Sequence, residues 1–236
     1  MPVVEKNDVD ISQLFSWSRE SVIKGIKSKD VKVWVRLLGD ADTNKVRVMS
    51  LRKSAELRRS LRDLESDDRI AFIPLLEELD KDSLVESVLI FTMRDLTKQA
   101  MRGLTLRSPK EPGSDATTEQ HEKFQREVDE YPKKREDAIK SSVETLIEKR
   151  RKELQEQDPT ELYKLYTNVL INELCEQELL KRYKEYCVYF GTYSNKKLTQ
   201  RFFNSFEDVD NLPTEIKESL INEYSLLEIE TEQLKK

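Results

Sequence analysis

Residues Ser21–Asp40 read SVIKGIKSKDVKVWVRLLGD, and this stretch decides the fold class. From Val31 to Leu38 the apolar residues Val31, Val33, Val35 and Leu37 alternate with Lys32, Trp34 and Arg36. That period of two is the mark of a strand with one face buried. Upstream, Val22 and Ile26 are expected on one side of Ser21–Ile26, with Lys24 between them. The connection Lys27–Asp30 is short and polar, so the two runs read as an antiparallel hairpin. A lone hairpin is marginal in water, so its valine face calls for a covering helix. The rest of the chain reads as helices. The expected class is mainly α (α+β): a short N-terminal β-hairpin followed by an extended multi-helix arrangement.

Composition agrees. Hydrophobic residues make up 37% of the 236 positions and charged residues another 37%. A core so thin for the length suits long amphipathic helices with broad solvated faces. Only 5 Gly and 7 Pro occur, which leaves few turn formers. Cys175 and Cys187 stand twelve apart in a helix-patterned segment, about 18 Å along an axis rising 1.5 Å per residue. A disulfide cannot span that distance in a straight helix, so both are expected reduced and buried. Two cysteines and the single His121 do not make a zinc site. The opening MPVVEKNDVD lacks the regions of a signal peptide, and no apolar run approaches a bilayer span. A cytoplasmic location with no membrane contact is expected.

Downstream of the hairpin, Gly39 and Asp40 end the strand, and Asp40 or Asp42 can cap a helix beginning near Thr43. Its stripe is Val46, Met49, Leu57, Leu61 and Leu64. Ser66 is the expected cap of the next helix, with Asp67 and Asp68 favouring the dipole, and Pro74 should break IAFIPLL. A further helix from about Lys81 through Met101 should carry Leu84, Val88, Phe91 and Leu96 inward. Two prolines, a glycine and small polar residues mark RSPKEPGSDAT, Arg107–Thr117, as a linker. The expected division is therefore 1–106, linker 107–117, and 118–236.

Thr117 with Gln120 forms a candidate capping box for a long charged helix whose sparse apolar line includes Phe124, Val128, Tyr131, Ile139, Val143, Leu146, Ile147 and Leu154. Pro132 should kink or split it, and the narrow stripe suggests a protruding arm or coiled-coil-like hairpin. Asp158, Pro159 and Glu161 restart the helix with cap, first-position proline and box. Its face carries Leu162, Leu165, Tyr166, Val169, Leu170, Leu174, Tyr183, Cys187 and Phe190, and Gly191 closes it. A last helix from about Leu212-Pro213 bears Ile216, Leu220, Tyr224 and Leu227. Phe202, Phe203 and Phe206 form an aromatic knot expected to join the core.

The segment KVRVMSLRKSAELRRSLR, Lys45–Arg62, holds seven basic residues and one acidic. Its balance is +6 in a chain of net charge −5, leaving −11 on the remainder. Three readings compete: phosphate binding, pairing with acidic helices such as Leu75–Asp82, and a solvated face made of good helix formers. The pI of about 5.3 and the lack of any accompanying nucleic-acid motif weigh against the first. Trp34, standing on the Lys/Arg side of its strand, is a candidate contact residue, unless a long helix or Trp17 covers it. The candidate partner-binding set is Trp34, Arg36, Arg52, Arg58, Arg59 and Arg62. Carboxylates are abundant without a pair that stands out, His121 has no evident partner, and no G-x-S-x-G, H-E-x-x-H or Walker loop occurs. The reading is non-enzymatic, with no catalytic residue, cofactor or metal.

The order of elements carries a resemblance. A hairpin ending VKVWVRLLGDAD leads directly into NKVRVMSLRKSAELRRSL, and the C-terminal part reads FNSFEDVDNLPTEIKESLINEYSLLE. Over residues 11 to 101 and 200 to 229 this resembles the tail assembly chaperones of long-tailed bacteriophages, while the charged Thr118–Gln157 stretch exceeds a small member of that family. The resemblance implies a non-catalytic protein that binds the long helical tape measure protein, keeps it soluble in the host cytoplasm, and self-associates weakly. The hairpin edge with Trp34 would supply subunit contacts, the Leu/Tyr grooves client contacts, and the basic helix a surface for acidic helix faces. The alternatives are a structural virion component, such as a connector or tail subunit, and a helical nucleic-acid-associated protein using residues 45–62.

Overall fold

The computed structural model describes residues 18–26, 29–113 and 116–234. Among them are seven α-helices and one three-stranded antiparallel sheet, the mainly helical fold with an N-terminal hairpin that the pattern calls for. The chain forms two compact units. One runs up to Arg59 and resumes at Cys175, and the other is Ser60–Leu174.

In the first unit, β1 (Ser18–Ile26) pairs with β2 (Lys29–Arg36), and β2 pairs on its other edge with β3 (Thr192–Tyr193). The alternation in β2 holds: Val33 and Val35 are buried while Lys32 is exposed. The expected face of β1 is corrected by the register. Ile23 lies opposite Val31 and Ser21 opposite Val33, so Ile23 is the buried residue and Val22, opposite Lys32, is 43% exposed. The inward parity is thus set by pairing with the valine face of β2, and a register shift follows between Ile23 and Ile26. Of the expected connection, residues 27 and 28 lie outside the described residues, and Lys29 and Asp30 belong to β2.

Helix α1 (Asp40–Arg62) begins three residues earlier than expected. The Thr43 amide bonds to the Gly39 carbonyl at 2.9 Å, and Asp40 and Asp42 sit in the first turn, where the helix dipole favours negative charge. Val46 and Leu61 are fully buried, but Leu64 falls in the turn after the helix and is 75% exposed, so it leaves the expected stripe.

The remaining helices are α2 (Asp67–Phe72), α3 (Lys81–Gly103), α4 (Thr118–Gln155), α5 (Pro159–Gly191), α6 (Phe206–Asp210) and α7 (Thr214–Leu234). A 3-10 turn, Leu76–Glu78, separates α2 from α3. Ser66 caps α2 and Pro74 follows its end, both as expected. Thr117 and Gln120 form the expected box. Helix α4 runs through Pro132 as one helix, so of the two expected outcomes, a kink or a split, the split does not occur. Asp158 accepts the Thr160 amide at 2.9 Å, as a cap should, but the Glu161 carboxylate turns to Lys164 at 2.6 Å. The described residues of the expected linker, 107–113, 116 and 117, carry no helix and lie within the Ser60–Leu174 unit, between α3 and α4.

The first unit packs β1 and β2 beneath α7. Its core joins Ile23, Val33, Val35, Val46, Cys187, Val188, Phe190, Phe203, Leu220, Tyr224 and Leu227. Each large aliphatic or aromatic chain so buried contributes about 1.5–3 kcal/mol before entropy is charged. The aromatic knot belongs here, with Phe202 and Phe203 edge to face at 4.9 Å and Phe206 4.2 Å from Tyr186. The second unit packs α3 on α4 and closes with the first half of α5. Leu84, Val85, Val88, Leu89, Leu154, Leu162 and Tyr166 form its core. The Leu/Tyr face of α5 is therefore occupied by the chain's own helices rather than open as a groove.

Candidate partner-binding surfaces

The α1 surface is built on a firmly held inner side. Ser50 donates to the Val46 carbonyl at 2.8 Å, and Ser54 donates to the Cys175 carbonyl at 2.7 Å. With Val46 turned inward, the opposite side must carry Arg47, Val48, Leu51, Arg52, Ala55 and Arg59, all exposed. Val48, Leu51 and Ala55 follow i, i+3, i+7 spacing and form one row. Arg59 continues the row four residues on, Arg52 flanks it on one side, and Arg47 and Arg58 flank it on the other. Val48 and Leu51 are each 49% exposed. Lys53 pairs instead with Glu56 at 2.8 Å, and this hydrogen bond raises the Lys53 pKa and lowers that of Glu56. Lys45 lies 4.9 Å from the centre of the Phe190 ring, a cation–π contact.

The candidate residues on the sheet are placed differently. Trp34 pairs with Glu20 on one side and Tyr193 on the other, so its strand is central rather than an edge, and the side chain is half-buried. The hairpin edge beside Trp34 is thus filled by β3, and β1 is an outer strand of the sheet among the described residues. Arg36 donates through Nε to the Leu37 carbonyl at 3.3 Å and lies 5.8 Å from the centre of the Tyr193 ring. Trp17, the suggested cover, lies outside the described residues. The candidate set divides accordingly: Arg52, Arg58, Arg59 and Arg62 on α1, and Trp34 and Arg36 engaged within the sheet.

Two devices fix helix α7 against α5. Glu185, 1% exposed, accepts from Arg182 at 3.0 Å and from Lys217 of α7 at 3.4 Å. Arg182 also reaches Glu178 at 2.7 Å and Asp210 at 2.6 Å, so three carboxylates and two cations share one knot. Burial works against the charged guanidinium, yet its bonds to Glu178 and Asp210 outweigh that and raise its pKa. The second device is a close approach. A Cβ at Gly191 would stand 2.7 Å from the Arg36 carbonyl oxygen and 3.1 Å from the Tyr224 ring. The Tyr224 hydroxyl accepts the Leu38 amide at 3.3 Å. Burial pushes the neighbouring Cys187 thiol up to about 12 and Tyr183 up to about 12. Both cysteines are reduced and buried, as expected from their spacing.

In the second unit, a different surface surrounds α2. Its backbone is tied down: the Ser66 hydroxyl accepts from the Arg69 amide at 3.1 Å and donates to the Ser60 carbonyl at 2.6 Å. Arg69 donates to the Leu61 carbonyl at 3.3 Å, Tyr163 donates to the Pro74 carbonyl at 2.8 Å, and the Leu75 amide donates to Glu78 at 2.9 Å. Only Ile73 of this segment turns fully inward. Ile70, Phe72 and Leu75 are 70%, 52% and 60% exposed within six residues. Large apolar groups held outward on a fixed backbone make an exposed apolar patch, a candidate contact surface that sequence reasoning passed over. IAFIPLL looks like core by composition, and the clue against it was the break at Pro74, which ends the helix before its apolar side can meet a neighbour. The Glu178–Arg182–Glu185 spacing, by contrast, was a readable salt-bridge ladder.

No protein-family model, curated protein or solved structure matches the chain. No described helix is long and apolar enough to cross a membrane.

Proposed function

We propose that this chain is a non-catalytic binding protein of the tail assembly chaperone type, which holds the helical tape measure protein of a long-tailed bacteriophage in solution during assembly. The observation that carries the reading is the outward, backbone-fixed triplet Ile70, Phe72 and Leu75 set in a chain dense with charge. A chaperone for an aggregation-prone amphipathic helix needs such anchors on its client side and a charged exterior that keeps the complex dispersed. Weak self-association would let several copies cover one client. The hairpin leading straight into the basic helix supports the family assignment, and the structure-independent alternative of a virion subunit makes a different prediction about finished particles.

The test is affinity capture of the tagged chain from producing cells with nuclease present, followed by mass spectrometry. Retention of a very long helical tail protein, lost with the Phe72→Ser/Leu75→Ser variant, together with absence of the bait from finished particles, supports the proposal. Incorporation of the bait into mature particles points to a structural subunit. Retention that requires intact nucleic acid points to a nucleic-acid-associated protein.

A further inference from the structure

The outer faces of α1 and α7 in the first unit match each other. On α1 the row is Val48, Leu51, Ala55 and Arg59, spaced three, four and four residues. On α7, read backward, the row is Ile229, Leu226, Asn222 and Glu218, also spaced three, four and four. All eight residues are exposed, with Leu226 at 45% and Ile229 at 52%. The ends of each row are eleven residue steps apart, about 16 Å of helix. Within one molecule the two faces both meet solvent, because the inner sides of both helices are taken up by the same core: Val46 from α1, and Leu220, Tyr224 and Leu227 from α7.

We propose that α1 of one copy docks antiparallel on α7 of a second copy of this chain, with Val48 against Ile229, Leu51 against Leu226, Ala55 against Asn222 and Arg59 against Glu218. Spacings of three and four residues are those at which helix side chains interlock along a shallow crossing. Apolar residues meet at one end and opposite charges at the other. Charge also decides against the two homotypic pairings. A parallel homotypic pair would bring like charges together, Arg59 on Arg59 or Glu218 on Glu218, and an antiparallel one would set Arg59 opposite Val48 or Glu218 opposite Ile229, leaving the charge without a counter-ion. Each copy offers both a basic face and an acidic one, so the contact joins unlike surfaces and links successive copies unless two copies exchange both contacts at once. It rests on the self-association in the proposed function and gives that association its surfaces. Arg59, whose Nε lies 3.4 Å from its own Ala55 carbonyl, keeps the rest of its guanidinium for the partner carboxylate.

The test is sedimentation velocity of the full chain over a concentration series, with Arg59→Glu, Glu218→Arg, the double exchange, and Leu51→Asp. The wild type should sediment faster as concentration rises. Each single charge reversal should weaken association about fivefold, the double exchange should recover it, and Leu51→Asp should weaken it by about tenfold or more. A wild type that stays monomeric throughout, or a double exchange no better than its single parents, overturns the pairing. The sample holds only this chain, so a negative result leaves partner capture to be judged by its own experiment. A negative capture likewise leaves this pairing standing.

Discussion

Replacing Arg182 with alanine probes how the first unit is held together. Its guanidinium is the only group in the described knot that reaches Glu178, Glu185 and Asp210 together. Without it Glu185, 1% exposed, keeps Lys217 at 3.4 Å as its remaining cation, and that contact is longer than a good charged hydrogen bond. Breaking a buried pair by removing one partner costs about 3–5 kcal/mol. Partial solvation of Asp210, whose side chain is 44% exposed, places the expectation near the lower end, about 3 kcal/mol. Glu185→Gln should cost less, about 2 kcal/mol, because Arg182 retains two carboxylates and the amide still accepts a bond. Lys217→Met should cost least, since it leaves Arg182 on Glu185. Urea denaturation followed by far-ultraviolet circular dichroism reads the order as shifts in the midpoint at constant slope. An Arg182→Ala loss below about 0.5 kcal/mol, as for an ordinary surface change, would show that the knot is solvated and the reasoning mistaken.

Gly191→Ala should destabilise the fold by about 1–3 kcal/mol, read in the same urea series, because the new Cβ would strike the Arg36 carbonyl at 2.7 Å. Stability should fall at alkaline pH. Cys187 is raised from its ordinary 9.0 to about 12, and Tyr183 from 10.0 to about 12, so the folded state holds protons that the unfolded chain releases. The contribution is whole below about pH 9 and is lost as pH climbs toward 12. A melting temperature that stays level from pH 8 to about 11 would contradict this. Cys175 and Cys187 should resist alkylation at pH 8 until urea unfolds the chain, as counted by intact-mass spectrometry; prompt double labelling of native protein would show that they are reachable. Phe72→Ser with Leu75→Ser should change stability by no more than about 0.5 kcal/mol per site, since 52% and 60% exposed side chains contribute little to packing. A larger loss would make them core residues.

What could be read from sequence depended on how local the determining interactions were. The β2 alternation, the Ser66 and Thr117 caps, the break at Pro74 and the inward rows of α3, α5 and α7 follow from spacing along one segment, and the fold bears them out. The β1 face was misassigned because its inward parity is set by the partner strand, Ile23 opposite Val31 and Ser21 opposite Val33, a pairing that leaves no trace in the composition of the segment. Strand β3 escaped because two residues after a helix carry no periodicity; it exists because Gly191 lets the backbone approach Arg36. That pairing also placed Trp34 on a central strand, a long-range fact. Of the candidate surface, the α1 cations were legible as a charge run. Which of them share the outer side with Val48 and Leu51 required knowing that Val46 turns inward. The exposed triplet at α2 was invisible because an apolar run reads alike whether its neighbours cover it or not.

The most direct test of the central claim is the soluble fraction of a long-tailed phage's tape measure protein expressed with this chain or with its Phe72→Ser/Leu75→Ser variant, at matched levels. The account predicts that the wild-type chain moves the tape measure protein from the pellet into the supernatant and that the variant, folded and equally abundant, does not. A pellet unchanged by the wild type, or a variant as effective as the wild type, would contradict it.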